Sequence, residues 1–263
     1  MSLHRETGRQ NSPPGELFSV YEFIEVVRRL GCENGFSVET FAAVGDFSLP
    51  VLVRDSGNRD WLYVSSAVHG DEPAGPLGIK KTLEEKGFSD SFNWMIFPVL
   101  NPTGLAIGTR ESSVGVDLNR DYKTHRSEEV HAHCRYLQSK KLPFLAALGL
   151  HEDWEAGGGY LYEHNRNNQV NPGQALLRSI EGTVGLEPGD EIDGWPTEGK
   201  GLIHPPSDPD LRDAWPEQIY LLHHHTAMSY TVETPSMVKL AARIECHKKA
   251  ILAFGDAANW VKS

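Results

Sequence analysis

Cysteine is scarce in this chain. The three present, Cys32, Cys134 and Cys246, are widely spaced and form no C-x-x-C pair. That argues against a disulfide framework and for reduced thiols in a cytoplasmic protein, each packed as a small buried hydrophobe. Long hydrophobic runs are also missing. The longest, such as LPFLAALGL (142–150), are far too short to span a bilayer. The opening MSLHRETGRQNSPPGE lacks the apolar core of roughly 7–15 residues that a secretory signal needs. No leader is therefore expected, and residues 1–14 read as flexible. Positive charge is in deficit: 25 Lys and Arg face 36 Asp and Glu, for a formal net charge of −11. Such a surface repels phosphate, so neither nucleic acid nor an anionic membrane is an expected partner. The chain has no internal repeat, low-complexity tract or convincing linker. Its 263 residues read as a single domain over 1–263.

Apolar periodicity supplies the elements. Residues 16–30 space Leu17, Val20, Phe23, Ile24, Val27 and Leu30 at helical intervals. FSVETFAAV and LPVLVR, joined by GDFS, read as a hairpin. Buried strands are expected at 61–68, 92–100, 142–150 and 228–234. Helices are expected at 74–86, 127–141, 171–184 and 237–262, with Ser127 capping the second and Glu128 and Glu129 in its first turn. Strands alternating with helices predict an α/β fold with a mixed, mostly parallel central sheet sandwiched by helices, the first hairpin forming an antiparallel edge. Residues 187–217, rich in proline and glycine, read as one long irregular loop, of the kind that is functional or mobile.

Unusual polar residues follow the strands. SSAVHGDEPAG (65–75) sets His69 and Glu72 three residues apart in a tight turn. NPTGLAIGTRESSVGVDLNRDY (101–122), GLHEDWEAGGG (149–159) and TVETPS (231–236) come after other strands. In an open α/β sheet, ligands bind outside the carboxyl ends of strands, so these segments converge if the strands are parallel. His69, Glu72 and His151 supply two histidines and a carboxylate, a set that suits catalytic zinc with a position left for water. A neighbouring carboxylate can take a proton from attacking water, an arginine can stabilise a developing oxyanion, and Arg120 can grip a carboxylate in bidentate fashion.

HGDE-PAG, NPTG, GTR, GVDLNRDY, LH and TVETP, in this order over about residues 61–235, resemble the zinc carboxypeptidase (funnelin) family. The resemblance is strongest to small bacterial members and extends to the succinylglutamate desuccinylase/aspartoacylase branch. It implies a mixed eight-stranded sheet sandwiched by helices, and one Zn2+ per chain on His69, Glu72 and His151. It makes Glu233 the general base that activates the zinc-bound water and then protonates the leaving amine. Arg110 would polarise the scissile carbonyl, Asn119 and Arg120 would bind the terminal carboxylate, and Asp117 would hydrogen-bond His69 from behind. The implied activity is hydrolysis of an amide next to a free carboxylate, in a peptide or a small cell-wall peptide. An N-acyl amino acid deacylase is the close rival, sharing H-x-x-E, the DLNR-type pair and the third histidine. A zinc-peptidase-like binding module without turnover is the rival of another class.

The chain also departs from the pattern. Short intervals between Arg110 and Asn119, and between Glu72 and His151, imply trimmed loops. The family's mobile substrate tyrosine has no recognisable motif; Tyr220 and Tyr230 are candidates, and neither is assigned. Glu152 and Asp153 could orient the metal site, bind a basic group or simply face solvent. HHHT (223–226), taken as extended, turns its histidines to opposite faces, so a second metal is not expected there. His125, His131 and His133 read as surface histidines. Trp154, Trp195 and Trp215 either line the site or pack.

Overall fold

In the computed structural model, which describes residues 19–166 and 172–258, one eight-stranded sheet runs in the order β1-β2-β4-β3-β5-β10-β6-β9. The hairpin β1 (Ser37–Val44) and β2 (Phe47–Arg54) forms its antiparallel edge. The centre is parallel: β4 (Asn93–Phe97), β3 (Trp61–Ser66), β5 (Ala146–Asp153) and β10 (Met228–Pro235) share one direction. Antiparallel β6 (Tyr160–Asn165) and the two-residue β9 (Leu202–Ile203) complete the other side. This is the single α/β domain with a mixed, mostly parallel sheet that the patterning predicts.

The central strands are buried on both faces, as near-continuous apolar runs require. β4 shows how the two covers divide. The ring centre of Trp94 lies 6.5 Å from that of Phe254 of α7 (Leu240–Ala258), while that of Phe97 lies 4.3 Å from that of His133 of α4 (Glu128–Lys140). On the first face α7 packs against α2 (Ala74–Glu84) and α5 (Gly173–Val184), and α1 (Val20–Glu33) joins α2. On the other, α4 packs on β1 and α6 (Glu217–His224) on β10. Ser19 and Ser127 start α1 and α4 as N-caps, their hydroxyls accepting from the amides of Glu22 and Val130. Among the described residues no helix is long and apolar enough to cross a membrane.

Several expectations change. The third strand starts at Ala146 rather than 142, because Lys141 ends α4 in a left-handed turn (φ 51°) and Pro143 has no amide to donate. It also continues to Asp153, since β10 pairs with it as far as Pro235. The loop 187–217 is not wholly irregular: β7 (Glu191–Ile192) pairs with β8 (Trp195–Pro196), and Leu202–Ile203 joins the main sheet. HHHT is not extended, because His223 and His224 close helix α6. His133 is not on the surface. It is fully buried, its two ring nitrogens 3.0 and 2.9 Å from the hydroxyls of Tyr63 and Tyr122. Burial, with His225 nearby, lowers its pKa to about 3, so the ring is neutral. Cys32 is exposed, whereas Cys134 and Cys246 are buried as expected; all three are free thiols. Residues 1–14, and 259–262 of the last expected helix, lie outside the described residues.

Candidate metal centre and active site

The chain reverses sides at β3. Its successor β4 lies on one flank of it, and β5, the next strand after that, on the other. A crevice opens where the order reverses, at the carboxyl ends of β3 and β5. His69 follows β3, His151 lies on β5, and Glu233 on β10 sits directly beside His151 in register.

The turn after β3 is tightly built. Ala67 takes a left-handed conformation (φ 49°), and its carbonyl accepts at 2.8 Å from the amide of Asn101, the N-cap of α3 (Pro102–Ile107). The Gly70 amide donates to the Arg110 carbonyl at 3.2 Å. A Cβ on Gly70 would stand 2.0 Å from the carbonyl carbon of Gly104, so only glycine fits. Because backbone cannot yield as a side chain can, Gly70→Ala is expected to destabilise the fold by about 1–3 kcal/mol. Urea unfolding of variant and wild type measures this, and metal uptake should weaken with it. Pro73 has no capping side chain for α2. Glu152 acts instead from β5, its Oε1 accepting from the Ala74 amide at 2.7 Å, while its other oxygen pairs with Arg243. Burial raises the Glu152 pKa, and Arg243 only partly offsets this, leaving it at about 7. Glu152 thus ties β5 to α2 and α7, which decides among the roles its sequence leaves open.

His69, Glu72 and His151 are 3 to 4% exposed, and one ligand atom from each lies within 4.8 Å of the others. His69 Nδ1 is 2.5 Å from Glu72 Oε1, and His151 Nδ1 is 3.0 Å from Glu72 Oε2. Glu72 Oε2 is buried and, apart from this approach of His151, has no hydrogen-bond partner. Burial opposes charge on both imidazoles, but the Glu72 carboxylate outweighs it and raises both pKa values, with Asp117 helping to bring His69 to about 9. Burial alone would raise Glu72; the two histidines reverse that and hold it well below the usual carboxylate range. Two imidazoles and a buried carboxylate, converging with no other charged group between them, fit a divalent cation, and zinc in particular.

Asp117 stands behind this cluster. Its Oδ1 lies 3.4 Å from His69 Nε2 and accepts from the Asn119 amide at 2.9 Å. Its Oδ2 accepts from Arg110 Nε at 3.0 Å. One carboxylate therefore orients both His69 and Arg110, as outer partners of metal-site histidines do. Burial resists its charge, but His69, Arg110 and Arg120 hold it well below the usual range. Asn119 is fixed in turn, its Oδ1 accepting from the Glu217 amide at 2.8 Å. Arg110, Asn119, Arg120 and Glu233 line a cavity of about 340 Å³ together with the His69–Glu72–His151 cluster. Burial pushes the Glu233 carboxyl well up; His151 pulls it down, and the nearby Glu72 and Asp153 add to the rise.

Other lining residues were not singled out in the sequence. Tyr160, Tyr162 and His164 alternate along β6 and all face the cavity. Their signal is the Y-x-Y-x-H spacing directly after GGG, a polar face of period two. Tyr160 lies opposite Glu233 in register and donates to Asp153 Oδ2 at 2.9 Å. Tyr220 and Tyr230 are instead buried away from the cavity, packed near Tyr122 and Phe254 respectively. Trp154 and Trp195 line the site, whereas Trp215 packs and donates to the Pro209 carbonyl at 3.0 Å.

The fold is carboxypeptidase-like, and the cluster is one that could hold a metal ion. Residues 59–153 match the sequence model of the succinylglutamate desuccinylase/aspartoacylase catalytic domain family. The structure is similar to that of a protein from Shewanella baltica provisionally described as a metallopeptidase, with TM-score 0.78, 22% identity, and 90% of this chain and 92% of that one covered. It is also similar to a metallo-carboxypeptidase from Burkholderia cenocepacia, with TM-score 0.66, 14% identity, and 90% and 68% covered. In sequence it is 30% identical over 104 residues to cytosolic carboxypeptidase 1 of Xenopus laevis. That match takes in 36% of this chain and only 8% of the relative's length.

Proposed function

We propose that this protein is a zinc-dependent carboxypeptidase-type hydrolase that cleaves the amide bond next to a free carboxylate. The observation that carries the proposal is the convergence of the His69–Glu72–His151 cluster, Glu233 and two arginines on one cavity. His69, Glu72 and His151 would hold the metal, whose Lewis acidity activates water and polarises a carbonyl near neutral pH. Arg120 and Asn119 bind the substrate's terminal carboxylate, Arg120 through its planar fork of donors. That anchor places the last amide bond beside Glu233. Glu233 takes the proton as water attacks and returns it to the departing amine. Arg110, held by Asp117, meets the charge that develops on the carbonyl oxygen.

The deacylase reading is favoured by a different observation, the family match over residues 59–153. The same proton chemistry serves it, so products must decide. Release of a C-terminal amino acid from short peptides supports the carboxypeptidase reading. Release of an acyl acid from N-acyl amino acids alone would replace it with the deacylase.

Metal comes first. Elemental analysis of purified protein is expected to find about one zinc per chain, the stoichiometry of a three-ligand catalytic site. His69→Ala should lose it. A wild type that neither carries zinc nor takes it up would overturn the hydrolase reading.

A further inference from the structure

A series of buried groups runs behind the cavity and ends on Asn119. The carboxylate of Glu217 accepts from the hydroxyl of Tyr63 on one oxygen and from that of Ser65, at 2.9 Å, on the other. Tyr63 and Ser65 stand two residues apart on β3, so they point to the same face of the sheet. A hydroxyl has one hydrogen, and that of Tyr63 goes to Glu217. Its oxygen is left to accept from His133 Nε2, 3.0 Å away. The ring is neutral, so Nδ1 is bare and accepts from the Tyr122 hydroxyl at 2.9 Å. Each donor of the series thus has its acceptor, and Tyr63, Tyr122, His133 and Glu217 are at most 1% exposed.

The series closes on itself. Glu217 opens α6, where Pro216 has no capping side chain, and the Glu217 backbone amide donates to Asn119 Oδ1 at 2.8 Å. Asn119 therefore caps α6 from another segment, supplying an acceptor that a first helical turn lacks within itself. Tyr122 lies three residues beyond Asn119 on that same segment. A seam holds the two stretches side by side, the Tyr122 amide donating to the Trp215 carbonyl at 3.3 Å. The orientation of Asn119 follows. Its oxygen is taken by Glu217, so the amide nitrogen is the end left for the cavity that Asn119 lines beside Arg120. That is a donor end, the one a carboxylate needs. Tyr63, Tyr122, His133 and Glu217 do not line this cavity themselves.

We propose that Glu217 is a positioning residue for substrate binding: pinned to β3 by Tyr63 and Ser65, and braced through His133 and Tyr122, it holds the Asn119 amide with its donor end in the cavity. Glu217 touches no substrate and acts through Asn119 alone. This rests on the reading of Asn119 as a binder of the substrate's carboxylate.

The test is a double-mutant cycle on binding, read beside kinetics. Zinc-loaded protein is titrated with N-acetylglycine, a free carboxylate next to an amide, and followed by tryptophan fluorescence, since Trp154 and Trp195 line the cavity. Glu217→Leu is expected to weaken binding about 10-fold, the scale of one hydrogen bond to a charged group. Glu217→Gln should restore most of this, because it keeps an oxygen for Tyr63 and offers Ser65 an amide donor. In an Asn119→Ala background, Glu217→Leu should change Kd by less than about 2-fold, as a residue that acts through Asn119 must. Tyr63→Phe guards against a Glu217 variant that folds poorly; it should weaken binding about 3-fold, again only while Asn119 is present. With peptides the loss should fall on KM and leave kcat within about 2-fold. A Glu217→Leu loss that is as large without Asn119 overturns the inference, since it marks a merely structural role. Unchanged Kd in both Glu217→Leu and Tyr63→Phe overturns it too, with the hydrolase intact if peptides are still cut. Absence of cleavage with the expected cycle removes the hydrolase reading and keeps Glu217 in its role. A wild type that does not bind the probe overturns both.

Discussion

Replacing Glu233 by Gln is expected to lower turnover by about 10²–10⁴-fold, the usual contribution of a positioned proton carrier. The change is isosteric at a half-buried position on β10, and it leaves the backbone pairing of Glu233 with His151 and Tyr160 untouched. Gln cannot accept the proton that attacking water must shed, nor deliver one to the departing amine. The loss should fall mainly on kcat, because the groups proposed to bind substrate, Asn119 and Arg120, lie on a separate segment. Metal content should stay at the wild-type level, since the cluster is His69, Glu72 and His151. Steady-state kinetics on a peptide substrate, run beside elemental analysis, make the check. An E233Q variant that keeps wild-type kcat would assign the proton transfer to another group.

Replacing Glu152 by Leu is expected to cost about 3–5 kcal/mol of stability, the scale seen when one partner of a buried ion pair is removed. Its side chain is fully buried and that of Arg243 is 9% exposed. Without Glu152 the guanidinium stays charged, because arginine does not deprotonate in proteins. The Ala74 amide at the start of α2 would also lose its acceptor. Urea unfolding gives the number, and the double variant Glu152→Leu/Arg243→Met should recover much of the loss, since an apolar pair carries no stranded charge. A single-variant loss below about 1 kcal/mol would mean that Arg243 swings out to water.

The sequence made the centre of the fold legible and its far side much less so. β3 and β4 are near-continuous apolar runs, WLYV and WMIF at their centres, and burial on both faces is the physical cause of such runs. The candidate metal cluster was readable because His69 and Glu72 share one turn and His151 directly follows the apolar run of β5. β6 escaped because its alternation, Y-L-Y-E-H-N, mixes aromatic and charged residues, and its polar half faces the cavity rather than water. α6 escaped because Trp215 and Pro216 extend a proline-rich stretch straight into it. Arg212 and Gln218, which line the cavity, lie at that boundary, where no local pattern marks a side chain for it. His133 misled for a related reason: its partners, Tyr63 and Tyr122, come from outside its helix, so nothing near it in sequence shows that a buried imidazole would be satisfied.

The reversal of strand order between β3 and β5 has a consequence in time. His69 and Glu72 come with β3, whereas His151 joins them only when β5, separated from β3 in sequence by β4, pairs on the other flank of β3. Bringing residues so distant in sequence together closes a long loop, which slows folding. A turn holding only His69 and Glu72 is an incomplete trap for a metal ion. An ion held by all three would then enter a sheet that has already closed, instead of nucleating one, and the rate of metal capture during refolding would be a clock for the closure of the central sheet.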